Sequence, residues 1–106
     1  MATTSKTLYR GAAATSTATL YTVPTTSTTT VVTNIAVTNT NTSGTGGTFT
    51  LALDGVSLHT QTPVDSNTTV YIDCKQVLEA NSTPKIIEGS ASATSINFHI
   101  AGVEIV

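Results

Sequence analysis

Residues 22–47 read TVPTTSTTTVVTNIAVTNTNTSGTGG, and how they are read decides between two different molecules. By composition the stretch is a Thr/Asn-rich stalk that would hold something else at a distance. By pattern it is strand, then turn. From Val31 to Asn39 the odd positions Val31, Thr33, Ile35 and Val37 form one face, while Val32, Asn34, Ala36 and Thr38, mainly small or polar, form the other. This period of two predicts a strand with Val31, Thr33, Ile35 and Val37 buried. Periodicity stops at residues 39–47, where Asn, Ser, Thr and Gly gather as they do in loops. Thr25 to Thr28 is a short connection after Pro24.

The alternation resumes in TFTLALDG, residues 48–55, with Phe49, Leu51 and Leu53 on one face and Thr48, Thr50 and Ala52 on the other. Asp54-Gly55 is a strong hairpin signal, because a type I′ turn needs positive φ at both central residues. A two-residue turn there pairs Leu53 with Val56, Leu51 with Leu58 and Phe49 with Thr60. All the large apolar residues then share one face, whereas a slip of one residue would mix the faces.

Further along, Val70, Ile72 and Cys74 alternate with Thr69, Tyr71 and Asp73, which places Cys74 in the core as an inert thiol and Tyr71 outside. The adjacent Val77 and Leu78 break the β pattern, so KQVLEANSTP is expected to form one short helical turn before Pro84. In the last segment the buried parity moves from Ile96, Phe98 and Ile100 to Val103 and Ile105, so at Ala101-Gly102 the strand is expected either to pass a β-bulge within the same core or to cross to a second sheet. KTLYRGA, ATLYTVP and PKIIEGSAS supply three more strands. The expected fold is all-β: an antiparallel β-sandwich, jelly-roll-like, of about eight short strands with one short helical turn. Residues 17–106 are expected to form the sandwich, and residues 1–16 an N-terminal arm or first strand region.

The chain has 106 residues, 9% charged, with a formal net charge of −2, and about a quarter of its residues are Thr. The length fits one domain, and four basic residues are too few to line a phosphate groove, so nucleic acid is not an expected partner. No run has the length of a signal peptide's apolar core or of a membrane span, so a soluble chain made in the cytoplasm is expected. With one cysteine there is neither an internal disulfide nor a cysteine-based zinc site.

Catalysis is not expected. His59 and His99 are the only histidines, both predicted on solvent-facing sides of strands, with no GxSxG serine to serve. The six carboxylates follow no calcium-loop or metal-helix spacing, and no cofactor is implied. Asn41-Thr42-Ser43, Asn67-Thr68-Thr69 and Asn81-Ser82-Thr83 match an acceptor pattern for glycans but read as turns. What remains is surface, on which Tyr9, Arg10, His59, Tyr71 and His99 are the candidate assembly or binding residues.

Taken in order, LYTVPTTSTTTVVTNIAVTNT, TFTLALDG, DSNTTVYIDC, QVLEAN and ASATSINFHIAGVEIV resemble a family of small virion proteins of tailed bacteriophages. The resemblance covers roughly residues 8 to 106 and its motifs are structural. It implies a β-sandwich assembled on a virion, either a capsid decoration (cement) protein bound across capsomers of the major capsid protein, or a small tail, head-fibre or baseplate component. It further implies a homotrimer, on the capsid surface after synthesis in the bacterial cytoplasm. The competing expectation is a module on a tail that binds host-surface carbohydrate or receptor, for which Tyr71 is the best-placed aromatic.

Overall fold

The computed structural model describes residues 3–24, 27–73, 75–80, 83 and 85–106. Nine strands occur among them: β1 (Thr3–Ala12), β2 (Ala18–Thr22), β3 (Thr29–Asn39), β4 (Gly47–Leu53), β5 (Val56–Val64), β6 (Thr68–Ile72), β7 (Gln76–Leu78), β8 (Ile86–Ala91) and β9 (Ile96–Ile105). The first sheet runs β1-β9-β3-β6, with β7 also on β3, and the second runs β2-β8-β4-β5. Every pairing is antiparallel.

Because β6 and β7 both lie along β3, they act as one edge strand in two pieces. Counted so, the first strand pairs the last, the second the last but one, the third the sixth, and the fourth the fifth. That nesting is the jelly roll. The stretch expected to form a helical turn instead carries β7. Val77 and Leu78 are adjacent because they face opposite ways, Val77 outward at 54% exposure and Leu78 buried. Pro84 and Cys74 lie outside the described residues.

Between the sheets sits an aliphatic core organised on two rings. Phe49 and Phe98 meet edge to face, centroids 6.2 Å apart, and Ile35, Val37, Leu51, Ile87, Ile96 and Ile100 close around them. Each such side chain contributes about 1.5–3 kcal/mol by leaving water. The Asp54-Gly55 turn has φ of 55° and 77°, the positive pair that the hairpin requires.

Three expected facings are corrected by bulges. In β3 the buried residues are Thr30, Val32, Ile35, Val37 and Asn39, while Val31 is half-buried. The parity changes because Thr33 is an extra residue between Val32, opposite Gly102, and Asn34, opposite Ala101. β9 itself alternates without a break, burying Ile96, Phe98, Ile100 and Gly102 and leaving Val103 and Ile105 half-exposed. The bulge expected at Ala101-Gly102 lies instead in its two neighbours, at Thr33 of β3 and Leu8 of β1. In β5 two register shifts place His59, not Leu58, opposite Leu51, and Thr62 opposite Phe49. Val56, expected in the core, is 70% exposed at the hairpin tip.

Candidate functional site

Register in the first sheet sets which residues share a row on its outer face. Arg10 of β1 lies opposite His99 of β9, His99 opposite Ala36 of β3, and Ala36 opposite Tyr71 of β6. Three of the five candidate residues thus fall in one row across all four strands. Arg10 and His99 are exposed and Tyr71 is 74% exposed. Ala36 and Ala101 leave a shallow hollow of about 100 Å³ beside Arg10, Asn34 and His99. The Arg10 guanidinium makes no ion pair or hydrogen bond among the described residues, so its charge is available to a partner.

About two rows toward the C-terminal end of β9 the same face turns apolar. Val103 lies opposite Val31, and Val31 opposite Val77, in a row that begins at Ser5 of β1. Ile105 follows, between Thr3 and Thr29, and Val106 beyond it is 61% exposed. Sequence reasoning assigned Val31, Val103 and Ile105 to the core. The signal that would have found this stripe is strict alternation through β9, which sends odd positions outward once no bulge interrupts it.

The other two candidates lie elsewhere. Tyr9 sits opposite Ile100 and packs against the core, its hydroxyl donating to the carbonyl of Ala12 at 2.9 Å. His59 is half-buried, tilted against Phe49 with centroids 5.4 Å apart, and its Nδ1 is 3.2 Å from the Thr62 hydroxyl. The two histidines are on different sheets, and His59 is not the outward partner of Thr50 that its expected register implied. Among the described residues no group of three or more His, Cys, Asp or Glu is arranged to hold a metal ion.

Both ends of the sandwich are closed by buried polar groups. At one end Tyr21 reaches Thr30 and Glu104, and Lys6 pairs with Glu104 at 3.4 Å. At the other, Asn39, 1% exposed, donates to the carbonyls of Thr45 and Val64 and accepts from the Asn41 amide and the Ser95 hydroxyl. All four hydrogen-bonding valences of this amide are used, which ties residues 40–46 to the body. Asn41 in turn accepts from the amide and hydroxyl of Ser43, and Asn67 has φ of 52°. The first of the three acceptor-like triplets is therefore a turn, the second has Asn67 in a turn and its two threonines at the start of β6, and the third lies partly outside the described residues.

Among solved structures, the fold is similar to a chain of the T13 IBDV viral particle, at a TM-score of 0.56 and 11% identity, over 97% of this chain and 30% of that chain. At this identity the likeness is one of fold alone, and the present chain spans less than a third of the length of the one it matches. No family model matches the chain, and no curated protein matches it.

Proposed function

We propose that the chain is a structural protein of a virus particle, specifically a decoration protein that binds the outside of a tailed-bacteriophage head through the outer face of its first sheet. The observation that carries this reading is the cross-strand row of Arg10, His99, Ala36 and Tyr71 on the same face as the stripe of Val31, Val77 and Val103, two rows away. An exposed aromatic and an unpaired arginine on one face with an apolar patch have the composition of a contact surface's energetic centre. The jelly-roll topology, shared in outline with a chain from an icosahedral virus particle, and the resemblance to phage virion proteins support the same reading. Its partners are the major capsid protein and further copies of the chain, with a homotrimer as the oligomer. No catalytic step belongs to it.

Such a protein stabilises by mass action. Each copy that bridges two capsomers binds the assembled shell and not its separated parts, so many copies shift the equilibrium toward assembly. The test is sedimentation of purified chain with phage heads lacking it. Wild type should pellet with the heads, and the folded double variant Arg10→Glu, Tyr71→Ala should remain in the supernatant. Equal binding of the two would overturn the assigned face. The 74% exposure of Tyr71 also suits the second reading, stacking against a host glycan; retention on immobilised host polysaccharide, lost in Tyr71→Ala, would favour it.

A further inference from the structure

The two sheets have four edges, and three of them are blunted against pairing. β2 is five residues long with a register shift inside it. β5 carries Pro63, two register shifts, and Gln61 at a φ of 47°. The edge opposite β9 and beyond β3 is split into β6 and β7, with exposed Asp73 and Lys75 in the break. These are devices by which proteins prevent strand-to-strand association. The first half of β1 has one of them, Lys6, and its ammonium is drawn aside by Glu104 of its own chain, 3.4 Å away. Thr3 to Thr7 pair residue for residue with Ile105 to Ala101, without proline, glycine or shift, and all five are exposed. The bulge at Leu8 begins only after them.

We propose that this segment of β1 is an interaction site for a second copy of the chain, which adds edge to edge and antiparallel with Ser5 on the two-fold axis. Among the described residues the least blunted edge of a second copy is its own β1, so the contact pairs like with like. Centred on Ser5, the register opposes Ser5 to Ser5, Thr3 to Thr7 and Thr4 to Lys6. All five residues are used, and no like charges meet. Centred on Lys6, two ammonium groups would face each other, which is unfavourable. Each Lys6 is moreover drawn toward Glu104 of its own chain, 3.4 Å away.

The outer rows then run on across the junction, from Val77, Val31, Val103 and Ser5 of one copy to Ser5, Val103, Val31 and Val77 of the other. Pairing thus doubles the face assigned above to the shell. It joins copies two at a time, linking threefold clusters rather than forming them. The inference rests on the assembly reading only for this use; the pairing itself is a property of the free chain. Five paired residues fall well below the ~1,200 Å² of a stable interface, so the free chain pairs weakly, at roughly 0.1 mM. Multivalent placement on a particle strengthens it.

The test is sedimentation velocity up to ~1 mM, with Ser5→Lys and Ser5→Glu alone and mixed. Wild type should show a concentration-dependent dimer. Each variant alone should weaken it at least about fivefold at unchanged melting temperature, and the mixture should restore it. In a Cys74→Ser background, Ser5→Cys should form disulfide-linked dimers under mild oxidation, and Thr19→Cys, on the edge of the other sheet, should not. A chain that stays monomeric at ~1 mM, or a dimer that Ser5→Lys leaves intact, overturns the proposal. Pairing without any binding to heads would instead leave it standing and sink the proposed function.

Discussion

The hydroxyl of Tyr21 donates to Oε2 of Glu104 at 2.5 Å, across the gap between the two sheets. Tyr21 belongs to β2 of the second sheet and Glu104 to β9 of the first, 83 residues apart in sequence. The same hydroxyl lies 2.8 Å from that of Thr30, which is fully buried on β3. One phenol thus satisfies a carboxylate and a buried threonine where the core would otherwise open to water. Removing one partner of such a group leaves the others desolvated and unpaired.

Tyr21→Phe should therefore destabilise the chain by about 1–3 kcal/mol, although the ring that packs on the core is kept. Urea unfolding of the two proteins measures the difference. Thr30→Val, which replaces the second hydroxyl by a methyl of similar size, should cost less while Glu104 still receives its bond.

Burial, and then the hydrogen bond to Glu104, push the Tyr21 pKa up to about 12, against about 10 in an unfolded chain. The unfolded state releases this proton first as pH rises, so it holds fewer protons than the folded state between those values. Stability from this group is accordingly complete below pH ~10 and is lost as pH rises toward ~12. Tyrosinate absorbance should show one late-titrating component, absent in Tyr21→Phe and moved to lower pH in Glu104→Gln.

A Cβ on Gly102 would meet the carbonyl oxygen of Val31 at 2.5 Å and Leu8 Cδ1 at 2.8 Å. The first is backbone and cannot rotate away. Gly102→Ala should consequently force β9 and β3 apart and lower the melting temperature more than Gly89→Ala, whose nearest contacts at 2.9 Å are the side-chain atoms Leu20 Cδ1 and Leu51 Cδ2. Thermal unfolding by circular dichroism ranks the two.

Leu51 is 1% exposed, and Leu51→Asp should abolish folding by placing an unpaired charge in the core. Thr50, half-buried on the outer face, accepts the Gln61 amide through its hydroxyl at 3.0 Å. Thr50→Asp keeps an acceptor there and should be tolerated. Equal solubility and melting of the two variants would contradict the facing of β4.

Asn39→Leu should free the carbonyls of Thr45 and Val64, the Asn41 amide and the Ser95 hydroxyl together. Hydrogen exchange should then accelerate across residues 40–46 well before it does in the strands. An unchanged exchange pattern would mean that the loop is held by something other than this amide.

The period of two in β3, β4 and β9 and the positive-φ pair at Asp54-Gly55 were enough to read an all-β sandwich from the chain. Alternation is a local signal. Bulges are not: Thr33 and Leu8 are extra residues only relative to β9 between them, and nothing in either segment's own composition marks the shift. Reading β9 as bulged at Gly102 sent Val103 and Ile105 inward, hid the outer apolar stripe and left Glu104 without its inward place opposite Thr30. β7 was lost for a related reason, since three residues are too few to display a period. Of the candidate site, the row of Arg10, His99 and Tyr71 could not be assembled from sequence, because the three residues lie on β1, β9 and β6 and only the register across β3 brings them level.

The proposal that this chain is a shell component presenting the outer face of its first sheet is tested most directly by an electron cryo-microscopy reconstruction of the virus particle that carries it. The account predicts jelly-roll density repeated over the head lattice, with Arg10, Tyr71 and Val77 against the major capsid protein and β1 edges of neighbouring copies side by side. Density confined to the tail, or on the head with that face turned to solvent, would contradict it.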